Sequence, residues 1–374
     1  MGLKNSRKKR IINISFLKVG NLVREVRIGN KLISHEAQTF IIAEISANHS
    51  GNIEIAKKMI REAKKAGADA VKLQTYTADT ITLNCDNEYF QIKQGTIWDG
   101  TTLYKLYEEA YTPWEWHKDL MEVARQEDIL CFSSPFDKTA VDFLEELNVP
   151  AYKVASFEIT DIPLIEYIAK KKKPVIISTG IATLQEIEDA VETCKKCGNE
   201  QIILLKCTSA YPAKFEEMNL NTIPNMANTF DVIVGLSDHT LGITVPIGAV
   251  AIGAKVIEKH FILDRSMGGP DAQFSLNIDE FAEMVNSIRD IEKALGKVNY
   301  TLSDKSLKNR EFSRSLFVSE DVRKGDIITE KNVRSIRPGY GMKPKYLEKI
   351  IGKKFKEDYK KGTPMNWSSV KADK

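Results

Sequence analysis

Two histidines stand just past apolar runs. His239 closes Val232-Ile233-Val234-Gly235-Leu236-Ser237-Asp238-His239, and His260 closes Val256-Ile257-Glu258-Lys259-His260. If both runs are parallel neighbours in one sheet, the imidazoles lie side by side at its carboxyl edge, where α/β sheets bind ligands. Two neutral imidazoles there could hold a divalent metal and leave other coordination positions open for substrate. The plainer alternative is a pair of ordinary surface or hydrogen-bonded histidines.

Other chemistry-bearing residues end other apolar runs. Lys72 and Lys153 are placed where a lone charge would be costly, so each implies an anionic partner. That partner is either a ligand or, more plainly, Glu44 or Glu158 in an internal salt bridge. Ser134, Ser156, Ser178 and Ser237 offer small hydroxyls from four different runs. Lysines and hydroxyls at one mouth favour a small ligand with phosphate and carboxylate groups. With a metal on the histidine pair, the chemistry is activation of a carbonyl by Lewis-acid polarisation. Glu44 and Glu158 are the available general acid/base or water-positioning carboxylates. For Glu258 and Lys259 the plain reading is solvated charge, and for Asp271 a turn aspartate.

The elements that must position these groups follow from the pattern after Phe40. Short strands are expected at 40–45, 70–75, 129–133, 151–155, 174–178, 202–207, 232–236 and 256–259. Amphipathic stretches such as Ile53-Ala56-Met59-Ile60-Ala63 separate them. Strands rich in Val and Ile without polar alternation are buried on both faces, as in parallel sheets. Eight strand–helix units predict an α/β fold, a (β/α)8 TIM barrel, with a doubly wound open sheet as runner-up. After Gly296 the rhythm stops. A polar connector at 297–311 leads to a small β-rich domain at 312–374, with turns at Lys324-Gly325-Asp326 and Lys361-Gly362-Thr363-Pro364. Residues 1–37 read as an extension, with Leu22 to Ile28 pairing around a turn at Gly29-Asn30.

The 374 residues are 43% hydrophobic and 28% charged, with a formal charge of +3. Five basic residues and no acid fall in 1–10, so the remainder sums to −2 and nucleic acid is not an expected partner. No apolar run approaches the length of a membrane span. The start, Met1-Gly2-Leu3-Lys4-Asn5-Ser6, fits a myristoylation pattern only formally. Five cysteines (Cys85, Cys131, Cys194, Cys197, Cys207) are expected to be reduced and structural, in a cytoplasmic protein.

At this point several stretches resemble a known family, the phosphoenolpyruvate-dependent nonulosonic acid synthases (the sialic acid synthase group). They are Ala43-Glu44-Ile45-Ser46-Ala47-Asn48-His49, Lys72-Leu73-Gln74-Thr75, Ser133-Ser134-Pro135-Phe136, Tyr152-Lys153-Val154-Ala155-Ser156, Ser178-Thr179-Gly180, Gly235-Leu236-Ser237-Asp238-His239-Thr240 and Glu258-Lys259-His260-Phe261. The last segment is similar to the antifreeze-like SAF domain that ends these enzymes. Within the family, Lys72 to Thr77, Ile81 to Asn84, Trp98-Asp99, Leu103 to Glu108 and Thr112 to His117 look like the branch acting on 2,4-diacetamido-2,4,6-trideoxy-L-altrose.

The resemblance implies that His239 and His260 hold Mn2+, Mg2+ or Co2+. It implies that Lys72, Lys153, Ser134, Ser156, Ser178 and Ser237 hold phosphoenolpyruvate, and that Glu44 orients the attacking water. Gln74, Tyr211 and Asp271 would face the amino sugar, with Glu158 in the same substrate site. Arg314 would reach the barrel of the other subunit in a domain-swapped homodimer. The rival expectations are the same chemistry on N-acetylmannosamine or a legionaminic precursor, a pyruvate-using aldolase or lyase, and a carbohydrate-binding protein on an inactive barrel.

Overall fold

A computed structural model describes residues 24–93, 95 and 98–371. The expectations placed on Met1 to Arg10, on the myristoylation pattern and on Leu22 and Val23 lie outside the described residues. The chain divides at Gly296/Lys297 into two compact units.

The first unit opens with a hairpin, β1 (Glu25–Ile28) and β2 (Lys31–Ser34), which turns at Gly29 and Asn30. Its alternation buries Val26, Ile28 and Ile33 in the same core as the strands that follow. Gly29 has φ +55 and lies against Leu130, at the amino-terminal end of a later strand. The hairpin is therefore part of the main body, not a free arm.

Eight parallel strands then close a barrel: β3 (Phe40–Glu44), β4 (Ala70–Thr75), β5 (Leu130–Pro135), β6 (Tyr152–Val154), β7 (Val175–Ser178), β8 (Ile202–Cys207), β9 (Ile233–Asp238) and β10 (Val256–His260). β10 pairs with both β9 and β3, which leaves no edge. The open-sheet alternative is thereby excluded.

Helices cover the outside in chain order. They are α1 (Ile53–Lys65), α2 (Ala78–Ile81), α3 (Leu103–Ala110), α4 (His117–Gln126), α5 (Lys138–Glu146), α6 (Ile162–Ala169), α7 (Leu184–Lys196), α8 (Thr222–Phe230), α9 (Thr244–Ala251) and α10 (Ile278–Leu295). Their starts are written in the sequence. Asn52 accepts from Glu54 N and Ile55 N, while Thr183 and Asn277 each form a reciprocal box with a glutamate three residues on. Two of the helices, α2 and α3, belong to an insertion between β4 and α4.

A buried ion pair links the last two strands. Lys259 Nζ lies 2.5 Å from Asp238 Oδ2 and also donates to the Thr240 carbonyl. The reading of Lys259 as solvated charge is overturned: the register sets Lys259 directly beside Asp238, and no part of either side chain reaches water. Lys259→Met would strand the Asp238 carboxylate, and such a loss costs about 3–5 kcal/mol. Urea unfolding of this variant is expected to show that loss. Wild-type stability would refute the pairing.

In the second unit, the connector is partly structured, with α11 (Asp304–Asn309) followed by a 3-10 turn. Gly339 N donates to Glu311 O, so residues near 311 pack on the small domain. Strands β11 (Ser315–Val318) and β12 (Val333–Ile336) pair antiparallel, and single bridges such as Val322 to Tyr359 and Phe355 to Val370 extend the weave. Leu316, Val318, Ile328, Val333, Ile350, Phe355 and Met365 form its own small core. The short helix α12 (Leu347–Ile350) supplies one side of it.

Candidate active site

Side chains two apart on a strand share a face. That rule puts Lys72 and Gln74 on one face of β4 and Glu258 and His260 on one face of β10, at the carboxyl end of the barrel, while Glu44 ends β3 and His239 follows directly on β9. The imidazoles of His239 and His260 come to 5.3 Å between ring centres, with planes inclined by 55°. The spacing anticipated from two strand ends is therefore present. Tyr211 packs 4.4 Å from the His239 ring and Phe274 packs 4.9 Å from that of His260, which fixes both imidazoles from behind.

The two imidazoles differ in their hold on a proton. His239 Nδ1 lies 3.1 Å from the Thr208 carbonyl, to which it can only donate, so the ring's other nitrogen is left as the lone pair. His260 Nδ1 is buried without a hydrogen-bond partner among the described residues and stands 3.6 Å from Asp271 Oδ2. Burial, followed by the charges of His239, Lys72, Lys259 and Lys153, holds His260 well below the ordinary imidazole range. Burial also opposes a charge on His239, but Cys207 and the Thr208 carbonyl outweigh it and raise that imidazole, so a proton competes for the same lone pair. With metal–nitrogen bonds of about 2 Å, rings at this separation can share one ion. The described residues hold no cluster of three or more His, Cys, Asp or Glu side chains arranged for a metal. The pair by itself would leave most of an ion's coordination positions to water or substrate.

Beside the imidazoles lies a quartet of buried charges. Lys72 Nζ is 2.6 Å from Glu44 Oε2 and 3.1 Å from Glu258 Oε1, and Lys153 Nζ is 3.8 Å from Glu258. Burial lowers the Lys72 ammonium to about 8, while Glu258 acts in the opposite sense. Burial also opposes the Glu258 charge, but Lys153 and Lys72 prevail and hold its carboxyl far below the usual range. The plain reading of Glu258 as solvated charge is overturned, because its side chain points into the barrel with His260.

Around this quartet Ser134, Ser156 and Ser178 present buried hydroxyls with no hydrogen-bond partner among the described residues. Ser237 differs, donating to Glu258 Oε1 at 3.0 Å. Three unspent hydroxyls and two buried lysines at one end of the barrel are chemically suited to receive anionic oxygens. Gly180 is required there, since a Cβ would collide with the hydroxyls of Ser156 and Ser209.

A cavity of about 660 Å³ opens from this floor. Gln74, Ser156, Glu158, Tyr211 and Asp271 line it with His260, so the residues anticipated for the sugar share one space, whereas Lys72, Lys153, Ser134, Ser178 and Ser237 are not part of its lining. Asp271 does lie in a turn, yet its side chain is buried and accepts from Ser46 Oγ, and burial raises its carboxyl. Ser46 was missed by the sequence reading. It sits at φ +46, donates to Asp271, and accepts from Gln74 Nε2 at 3.0 Å. Cys207, read as a strand hydrophobe, lies 3.9 Å from His239 Nδ1. Arg314 belongs to the second unit, where its guanidinium donates to the Ser335 carbonyl at 2.9 Å.

Glu158 gives a pH prediction. Burial raises its carboxyl to about 7, with Lys153 opposing, and its Oε2 has no partner. The folded state thus binds this proton more tightly than the unfolded chain does. The stabilisation is complete below the unfolded carboxyl range and is lost as pH rises through about 7. Glu158→Gln is expected to be more stable than wild type at pH 8, by about 1–3 kcal/mol. The difference should shrink toward pH 5 in urea melts, and equal stability at pH 8 would contradict the burial argument.

Comparison with known proteins gives consistent matches. The family model described as NeuB family matches residues 59–300, and that of the SAF domain matches 313–371. A pseudaminic acid synthase of Campylobacter jejuni subsp. jejuni serotype O:23/36 (strain 81-176) is 50% identical over 346 residues, covering 92% of this chain and 100% of that one. An N,N'-diacetyllegionaminic acid synthase of Legionella pneumophila subsp. pneumophila is 39% identical over 338 residues, or 89% and 95% of the two chains. The crystal structure of N-acetylneuraminic acid (sialic acid) synthetase from Leptospira borgpetersenii serovar Hardjo-bovis in complex with citrate superposes with a TM-score of 0.69. It is 33% identical and covers 78% of this chain and 96% of its own.

Proposed function

The chain belongs to the NeuB family, and from that premise we propose that it condenses phosphoenolpyruvate with 2,4-diacetamido-2,4,6-trideoxy-L-altrose and water, giving pseudaminic acid and phosphate. The observation that carries this reading is the anion receptor beside two adjacent imidazoles in a family whose relatives make such acids. Identity of 50% to a pseudaminic acid synthase, against 39% to a legionaminic acid synthase, favours the altrose-derived sugar.

His239 and His260 would hold a divalent ion, Mn2+, Mg2+ or Co2+, which when bound supplies Lewis-acid polarisation of the sugar's aldehyde. Lys72 and Lys153, with the hydroxyls of Ser134, Ser156, Ser178 and Ser237, receive the phosphate and carboxylate of phosphoenolpyruvate. That anchorage aligns its terminal carbon with the aldehyde carbon, so that a new carbon–carbon bond forms between them. Positive character then develops at the carbon bearing phosphate, which the Glu44 and Glu258 carboxylates stabilise. Glu44 orients the water that adds there, and phosphate departs by carbon–oxygen cleavage. Gln74, Glu158, Tyr211 and Asp271 hold the sugar. Incubation with phosphoenolpyruvate, manganese and a panel of sugars tests the reading through phosphate release and product mass. Efficient turnover of N-acetylmannosamine or the legionaminic precursor instead of the altrose sugar would reassign the substrate.

The assembly is a homodimer in which Arg314 of one subunit completes the other's barrel, in the cytoplasm. Charge supports this arrangement: residues 297–374 carry 20 basic and 10 acidic side chains, whereas 38–296 carry 25 and 39. Opposite fields of that kind favour docking of the small domain on a second copy's barrel. Among the described residues no helix is long and apolar enough to cross a membrane. Arg314→Ala and His260→Ala subunits, each inactive alone, should regain activity when coexpressed, because mixed dimers contain one intact site. Absence of recovery would contradict the exchange.

A further inference from the structure

Half of the cavity wall has no polar task. Helix α3 carries Leu103, Leu106, Tyr107 and Ala110 at the i, i+3, i+4, i+7 spacing of a core-facing helix, yet none of its residues is buried. That stripe faces the cavity, and Tyr76, Ile81 and Phe136 continue the same surface. Tyr76 braces it, packing edge-on against Tyr107 at 5.6 Å and Phe136 at 5.1 Å. Across the same space stand Ser46, Gln74, Glu158, His260 and Asp271. Apolar surface left open to water is unfavourable until something covers it. Continuity with the polar floor makes the reacting sugar that cover.

We infer that the wall of Tyr76, Ile81, Leu103, Leu106, Tyr107 and Phe136 receives the substrate's methyl groups, C6 of the 6-deoxy sugar and its acetamido methyls. It thereby selects deoxygenated, N-acylated sugars over hydroxylated ones. This rests on the proposed function and locates its specificity. A hydroxyl at C6 set against Ile81, Leu103 and Leu106 would leave water for side chains that cannot accept its proton. The wall's leucines come from the insertion between β4 and α4, so specificity is carried apart from the strand-end residues that handle phosphoenolpyruvate.

The test is the ratio of kcat/KM for 2,4-diacetamido-2,4,6-trideoxy-L-altrose to that for its 6-hydroxy analogue, read by phosphate release. A pocket of this kind rejects an added hydroxyl by about 10- to 100-fold. That ratio is expected for wild type. In Leu103→Asn and Leu106→Asn it should fall toward one. Because both sugars are measured on one preparation, the ratio does not depend on the folded fraction. If a variant is inactive, the wild-type ratio still decides. A wild-type ratio near one, or an unchanged ratio in both asparagine variants, overturns the inference alone. Turnover of neither sugar alongside efficient use of N-acetylmannosamine overturns the sugar assignment, and the inference with it.

Discussion

Alanine at His239 or His260 is expected to lower kcat/KM by at least about 10²–10³-fold, the scale of losing a group that stabilises charge in the transition state. On the function proposed above, each substitution removes half of the chain's hold on the ion. It also leaves the remaining imidazole without the partner that makes the site bidentate. Burial keeps His260 neutral, so its lone pair is available without a prior deprotonation. The variants should retain the barrel, because the removed rings pack on Tyr211 and Phe274 at the mouth and not in the strand core. Metal content after gel filtration should fall together with activity. A variant that loses its metal yet keeps wild-type turnover would separate the histidines from the chemistry.

Lys72→Met is the second large effect, and it acts twice. The ammonium is the contact shared by Glu44 and Glu258, so its removal leaves the buried Glu44 carboxylate without its cation and Glu258 with Lys153 alone, at 3.8 Å. Breaking one side of such a pair costs about 3–5 kcal/mol of stability. Loss of a buried cation from an anion receptor costs a further factor of about 10²–10³ in the use of phosphoenolpyruvate. Urea melts and initial rates with varied phosphoenolpyruvate separate the two roles, the first reading the lost ion pairs and the second the lost anion contact. A lowered urea midpoint beside an unchanged use of phosphoenolpyruvate would make Lys72 a structural partner only.

The barrel was legible because its strands are unbroken apolar runs, the pattern of strands buried on both faces. Boundaries moved where the ends are polar. The strand expected at 151–155 is three residues long, since Ala155 already leads into the 3-10 turn that carries Ser156 and Glu158. The strand expected at 232–236 runs on through Ser237 and Asp238, held by Lys259. Within the site, His239, His260, Lys72 and the serines stood out by residue type at strand ends. Glu258 did not, although its position two before His260 placed it on the same inward face. Its charge was read locally, whereas its partners Lys72 and Lys153 come from strands 186 and 105 residues away in sequence. Asp271 and Ser46 find each other only because β10 closes the barrel on β3. The stripe on α3 could be read as an ordinary core-facing surface, and only the fold shows that it faces a cavity instead.

The most direct test is phosphate release by the full chain from phosphoenolpyruvate and 2,4-diacetamido-2,4,6-trideoxy-L-altrose, before and after stripping and then restoring manganese. Product and phosphate should form in equal amounts with metal present, cease on stripping, and return on restoration. Undiminished turnover in the stripped protein would contradict a cation shared by the two imidazoles.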